Sequence, residues 1–389
     1  MIRLGVIGCG LRVAGFLAQT MDAYDPDFRV VGVVDPDPEG ALSRLREADR
    51  EARFFTSLDE LVREAKPDAL LIGTRCNLHT RYAIEAARYG IPVFLEKPVA
   101  ISMEQAQALE EAYLGSKTNV LVSLPLRYTP LHRRMRELLR GGAVGDILHI
   151  AGLNYVPYGT VYYERGYRDF AVTQGLFLQK ATHDFDYLMD LAGARITRIA
   201  ANWSRGRVFG GDRPADLKCS ACPDAESCDE SPRNRRRHGS GGVLEDHLCV
   251  FSSACGNDRD GINEEASNSI FEFANGAIGT YAQVVFTRRE GIRGPIVSGP
   301  RGTASFDWYK GAIHCVEHHA PFTSDIKMGS EQSHFGGDAE LAKNFFNMIR
   351  CGAQPETPLA DGLRSVYTCL AAREAAETGR WVEVPQTRL

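Results

Sequence analysis

Residues 3–123 alternate short, almost wholly apolar runs with amphipathic stretches, and few folds accept that pattern. The segments Arg3–Ile7, Arg29–Asp35, Ala69–Gly73, Pro92–Leu95 and Asn119–Ser123 read as strands, with helices such as Ser57–Ala65 and Leu78–Tyr89 between them. Strands covered on both faces have no polar alternation, so the pattern predicts a doubly wound parallel sheet, a Rossmann-type α/β domain. The first strand runs into Gly8-Cys9-Gly10 and then a helix. Such a turn brings backbone N–H groups and a helix N-terminus up to a pyrophosphate. The third glycine of a full G-x-G-x-x-G is missing, with Val13 in its place. Asp35 closes the second strand, where a carboxylate accepts both hydroxyls of an adenosine ribose. Its alternative role is to cap the next helix. A ribose 2′-phosphate would be repelled there, and residues 36–39 hold no arginine, so NAD is expected over NADP.

The remaining two-thirds are different. Leu148–Val156, Arg198–Trp203, Ser269–Phe273, Ala277–Phe286, Thr303–Trp308 and Ala312–Val316 read as strands separated by glycine-containing turns. A large, mostly antiparallel open sheet in an α+β domain follows. We expect a cofactor domain over 1–122 and a substrate and oligomerisation domain over 123–389, interrupted by a Cys-, Gly- and Arg-rich insertion over about 206–256. Leu131–Arg140, Asp338–Arg350 and Leu359–Thr378 read as helices, and Trp381–Val384 as a last short strand. The 389 residues carry 45 Lys+Arg against 50 Asp+Glu, a net charge of −5, which argues against nucleic acid as a partner. No apolar run approaches the ~18 residues of a membrane span, and the first residues show no secretory pattern. With only ten cysteines, a reducing cytoplasm is the expected compartment.

Residues 73–100 read GTRCNLHTRYAIEAARYGIPVFLEKPVA. This resembles the Gfo/Idh/MocA family (glucose–fructose oxidoreductase, inositol dehydrogenase, rhizopine catabolism), whose marks are T-P-N-x-x-H and then E-K-P. Thr74, Asn77 and His79 match, as do Glu96-Lys97-Pro98, while Arg75 replaces the proline. Arg127-Tyr128-Thr129-Pro130 is similar to the family's entry to its second domain, and 141–147 and 275–277 resemble further family turns. The resemblance implies that Gly8, Gly10, Leu11, Arg12, Asp35, Thr74, Asn77, His79, Glu96, Lys97 and Arg127 meet the cofactor. It implies a cis peptide before Pro98, and that Lys97 bonds a substrate hydroxyl and stabilises the developing alkoxide. A surface ion pair is the rival role for Glu96 and Lys97.

Residues 175–193 read as one helix with an apolar stripe through Leu178, Ala181, Phe185, Leu188 and Ala192. Gln179, His183, Asp186 and Asp190 fall on the other side, which by itself reads as a solvated face. The family places an aspartate four residues before a histidine here; His183 matches, and Gln179 stands where the carboxylate belongs. The resemblance makes Gln179, Lys180 and His183 catalytic candidates beside Lys97. A neutral amide orients the imidazole without raising its basicity. Lys180 either pairs with Asp184 one turn on or reaches the substrate. Arg127, Tyr128 and Tyr158 complete the expected substrate contacts. Tyr155, Tyr158, Tyr162, Tyr163 and Tyr167 form a tyrosine-rich loop suited to stacking on sugar rings or to an interface.

In the insertion, Cys219, Cys222, Cys228 and Cys249 have the spacing of a structural zinc knuckle, with His238, His247 or Cys255 as other fourth ligands; a metal-free loop is the alternative. A subgroup of the family shows a similar insertion. The basic run 233–238 reads as a solvated loop. Asp338 is expected to cap the helix that follows it, and His334 either faces substrate or is structural. The expected activity is NAD-dependent transfer of hydride from a secondary alcohol carbon of a sugar, sugar derivative or cyclitol, by a homodimer or homotetramer. The alternative is an NAD-dependent glycoside hydrolase working through transient oxidation, elimination, water addition and re-reduction. A non-catalytic repressor, also known in the family, is a third class.

Overall fold

The structure, a computed structural model, describes residues 1–240, 245–255, 261–328 and 333–389. The chain forms two compact units, one of Met1–His132, Ser330–Tyr367 and Gln386–Leu389, the other of Arg133–Gly329 and Thr368–Pro385.

The first unit is built on β1 (Ile2–Ile7), β2 (Phe28–Val34), β3 (Arg53–Phe54), β4 (Ala69–Ile72), β5 (Val93–Leu95) and β6 (Val120–Val122). They pair in the order β3-β2-β1-β4-β5-β6, every pair parallel, so the winding reverses between β1 and β4. The strands are apolar because helices cover both faces; β4, β5 and β6 are buried at every residue. The helix after the glycine loop, Leu11 to Tyr24, contains a π-helical stretch, Phe16–Met21. A late segment completes this core: helix Gly337–Cys351 inserts Leu341, Phe345 and Phe346 among Phe16, Phe28 and Phe94.

The second unit carries a nine-stranded sheet of β7 (His149–Tyr155), β8 (Ile196–Ser204), β9 (Ala266–Phe273), β10 (Ile278–Val284), β11 (Ile292–Ser298), β12 (Gly302–Asp307), β13 (Ala312–Glu317), β14 (Thr323–Lys327) and β15 (Val382–Glu383). The order is β14-β13-β12-β11-β7-β10-β9-β8-β15, antiparallel except for β7 with β10. Two strands of this sheet escape the sequence reading, as does β3 in the first. The β11 run holds Gly294 and Pro295, which read as breakers; Pro295 is tolerated because β12 pairs only from Ile296 onward. The other, β14, is a polar edge strand with no alternation to reveal it. On one face lies helix Ala181–Ala192, with Phe185 against Phe271 and Tyr281. Gly152 of β7 makes room for it, since a Cβ there would meet Leu188 at 2.8 Å.

Candidate functional site

At the carboxyl end of β1, Gly8 has φ +81, and a Cβ would lie 2.7 Å from the Thr74 backbone. Only glycine satisfies both the dihedral and the approach. Gly10 precedes the helix that starts at Leu11, whose side chain is 73% exposed at the tip of the turn. The missing third glycine has a local explanation. Val13 packs on Gly73 just after β4, where a Cβ would stand 2.2 Å from a Val13 methyl, so the small residue of this contact is on the opposite wall.

Asp35 follows β2 and accepts from the N–H groups of Cys9 (2.7 Å) and Asp37 (2.9 Å), one on each carboxylate oxygen. Each oxygen keeps a lone-pair direction for a ribose hydroxyl. Residues after Asp35 do not use it as a helix cap; Asp37 caps helix Pro38–Arg44. The Asn77 side-chain oxygen is buried with no hydrogen-bond partner among the described residues. A close backbone turn, a helix start, an edge carboxylate and an unsatisfied amide oxygen together fit a dinucleotide.

Other expected contacts are engaged within the protein. Arg12 forms a bidentate pair with Asp338 (2.7 and 2.9 Å) and donates to Glu96 at 3.1 Å. Glu96 also accepts from Ser123. Asp338 is not the helix cap expected of it. Gly336 takes that position, and the buried Asp338 carboxylate in the first turn holds Arg12 and His334 (2.8 Å). These partners keep its pKa far below the usual carboxylate range against the opposing effect of burial. His79 is 2% exposed, and its ring nitrogens face the carbonyls of Pro98 (2.8 Å) and Thr74 (3.0 Å), so it braces the two loops. Burial lowers its pKa against the pull of those carbonyls. Lys97 lies on the loop after β5, and the Lys97–Pro98 peptide is cis. Arg127 pairs with Asp361 at 2.5 Å. Tyr128 corrects an expectation: at 1% exposure, bonded to Asn344 and Thr357, it is core of the first unit and cannot touch substrate.

In the second unit the single helix expected over 175–193 is two, Leu176–Gln179 and Ala181–Ala192, with the break at Lys180. Its polar side is not solvated: Gln179, His183 and Asp186 are buried and Asp190 is half-buried, and Lys180 is buried as well. Lys180 does not pair with Asp184. Asp184 accepts from Arg293 (2.8 and 3.0 Å), Tyr281 (2.8 Å) and Asn154 (2.6 Å), three partners that the sequence reading missed. An arginine inside the apolar run of β11 was the available signal. Lys180 instead donates to the Tyr158 hydroxyl at 2.8 Å. Lys180, reinforced by Arg293, lowers the Tyr158 pKa to about 8 against burial, and burial lowers that of Lys180. Tyr162 and Tyr163 are buried with Phe209, Val250 and Cys255, so the tyrosine loop is largely a small core and not a stacking platform.

The insertion also departs from expectation. Cys219, Cys222, Cys228 and Cys249 line one pocket with His247. Among the described residues, however, no group of three or more His, Cys, Asp or Glu side chains is placed to hold a metal ion, so the expected zinc finds no support. The thiols are free, with Cys222 accepting from Arg213. Burial and the neighbouring sulfurs push the Cys219 thiol up to about 12. The far end of the insertion reading, at 241–244 and 256, lies outside the described residues. The basic run is a helix and not a loop: Pro232–His238 is capped by Ser231, with Arg233, Arg236, Arg237 and His238 exposed to solvent, whereas Arg235 is fully buried, pairs with Glu164 and donates to Thr160.

Comparison with known proteins agrees with this architecture. Residues 2–123 match the oxidoreductase family model with an NAD-binding Rossmann fold, and 132–305 match the GFO/IDH/MocA C-terminal domain. The chain is 24% identical over 342 residues to putative oxidoreductase YteT of Bacillus subtilis, covering 81% of this chain and 77% of that one. It is 28% identical over 205 residues to inositol 2-dehydrogenase 2 of Saccharopolyspora erythraea, covering 52% of this chain and 58% of that one. Among solved structures, a levoglucosan dehydrogenase in complex with NADH and levoglucosan shares the fold with a TM-score of 0.77 at 18% identity, covering 99% of this chain and 100% of that one. Aldose-aldose oxidoreductase from Caulobacter crescentus gives 0.70 at 16%, covering 98% and 99%. The chain therefore belongs to the Gfo/Idh/MocA oxidoreductase family, with its NAD-binding Rossmann domain and its C-terminal α+β domain.

Proposed function

We propose that this protein is an NAD-dependent dehydrogenase acting on a secondary alcohol carbon of a sugar, sugar derivative or cyclitol. The observation that carries the reading is the grouping of the Gly8 turn, Asp35 and Lys97 after β1, β2 and β5, at the carboxyl edge of a parallel sheet whose winding reverses beside β1. Ligands bind at that edge in open α/β sheets. The bound dinucleotide supplies the hydride acceptor. Asp35 accepts the ribose hydroxyls and repels a 2′-phosphate, which selects NAD over NADP. Lys97 donates to the substrate oxygen as negative charge develops on it. His183, four residues after the neutral Gln179, is the candidate acid–base group of the second unit. The sugar dehydrogenases among the family's solved structures support the substrate class.

The test is NADH formation over a panel of sugars, sugar acids and cyclitols, with Lys97→Ala as control. Turnover in the wild type that falls by about 10²–10⁴ in the variant supports the reading, the range typical of a lost acid–base or oxyanion group. Undiminished turnover in Lys97→Ala ends it. The neutral Gln179 followed by Lys180 favours a second reading, redox-assisted glycoside hydrolysis, which predicts release of an aryl aglycone without net NADH. We further propose a cytoplasmic homodimer or homotetramer, consistent with Ile270, Ile278 and Ile296 standing 50%, 53% and 41% exposed on the nine-stranded sheet.

A further inference from the structure

The insertion of the second unit brings four free thiols, Cys219, Cys222, Cys228 and Cys249, to the walls of one pocket. Two of them share a turn. Residues Cys219–Ala221 form a single 3₁₀ turn, and the Cys222 N–H donates to the Cys219 carbonyl at 3.2 Å. In such a turn, side chains three residues apart stand one above the other, and a rise of ~2.0 Å per residue puts their Cα atoms about 6 Å apart. A disulfide spans Cα separations of about 4.4–6.8 Å, so this backbone accepts a bond between the two sulfurs without rearrangement. The turn is also anchored. Ser220 donates to Asp246 from its N–H (2.9 Å) and from its hydroxyl (2.8 Å), and the Cys219 N–H donates to the His247 carbonyl at 3.0 Å.

The two sulfurs are not equivalent. Cys222 accepts from the Arg213 guanidinium at 3.5 Å, and Arg213 is itself held by Asp224. An arginine beside the sulfur is a setting in which cysteines act as nucleophiles. Cys222 is half-buried, and Ser220, Ala221, Pro223 and Asp224 around it are exposed, so a small molecule reaches it from solvent. Cys219 sets its sulfur 3.7 Å from Nε2 of His247, whose ring is buried.

We propose that Cys219 and Cys222 form a modification site for low-molecular-weight disulfides such as oxidised glutathione, with Cys222 the attacking thiol and Cys219 the resolving one. The Cys222 sulfur bonds to one sulfur of the reagent, the reagent's S–S bond breaks, and its other half leaves as a thiol carrying the Cys222 proton. The Cys219 sulfur then bonds to Cys222 and displaces the second half, which leaves as a thiol carrying the Cys219 proton. The two cysteines are oxidised to one disulfide, and the reagent is reduced to two thiols. Arg213 is the positioning residue for the attacking sulfur. The site needs neither dinucleotide nor sugar, so it stands apart from the dehydrogenase reading.

The test uses the full chain, reduced, freed of small thiols and then equilibrated with mixtures of reduced and oxidised glutathione. The intact mass should fall by two hydrogens, peptide mapping should place the bond at Cys219–Cys222, and dithiothreitol should reverse it. Cys219→Ser should stop with one glutathione on Cys222, Cys222→Ser should lose the reaction, and Cys228→Ser should leave it unchanged. Arg213→Leu should slow the first step at least about tenfold through the lost thiolate partner, and Arg213→Lys should restore much of the rate. Circular dichroism shows that the variants are folded. A wild type left unbridged by excess oxidised glutathione, a bond joining any other pair, or a zinc ion retained by these thiols on purification overturns the proposal.

Discussion

At the residue scale, the positions legible in the sequence are those whose demand is local. Gly8 is required by its own φ and by the approach of Thr74, and Asp35 by its place at the end of a strand. Gly8→Ala should cost about 1–3 kcal/mol from backbone strain alone, read by denaturant unfolding, and should weaken NADH binding followed by fluorescence. Asp35→Ser should raise the NADP-to-NAD ratio of kcat/KM by at least about tenfold, since relieving a like-charge contact exceeds the ~1.4 kcal/mol that a factor of ten represents. Asp338 was legible as a helix-start acid but not as the partner of Arg12, which lies more than three hundred residues earlier in the chain. Its pKa is depressed in the folded state, so its contribution to stability is full above the unfolded value near ~3.9 and is lost as pH falls below it. Asp338→Asn should therefore lower stability at pH 7 and flatten its decline on acidification, measured by urea unfolding across that range.

At the scale of elements, periodicity located most strands and long helices because burial on one face, or on two, imposes a period on the sequence. It failed where a neighbouring element overrode the local signal. The helix break at Lys180 and the proline-containing β11 are both settled by what packs beside them. The insertion is the sharpest case. A run read as a loop is a capped helix, and one of its arginines, Arg235, is buried against Glu164, 71 residues earlier, while the others stay solvated. Removing the arginine leaves a buried carboxylate alone, so Arg235→Met should destabilise the second unit by about 3–5 kcal/mol. Adding Glu164→Leu should recover much of that loss, because the uncompensated charge is then gone; a thermal melt of the single and double variants reads both.

For the whole molecule, the first unit is assembled from three separated stretches of chain. Its last residues bind back through Glu110, a carboxylate 3% exposed that accepts from Thr387 at 2.5 Å, from Tyr367 at 3.0 Å and from the Arg388 N–H. Deleting residues 386–389 strips two of those donors, which should cost about 1–3 kcal/mol and lower the Tm seen by calorimetry. No local pattern announces such a return. The alternation of apolar runs by itself determined a parallel sheet followed by a mostly antiparallel one, and Gly8, Asp35 and Glu96-Lys97-Pro98 carried the resemblance to the family. Those are consequences of backbone geometry and of which faces are covered, and both repeat along the chain. Only the tertiary structure decided that Tyr128 is core, that Cys219, Cys222, Cys228 and Cys249 line one pocket without forming a metal-holding group among the described residues, and that Lys180 faces Tyr158 and not Asp184. Each of these turns on which charge or hydrogen-bond partner a buried group meets, and that partner arrives from a distant part of the chain.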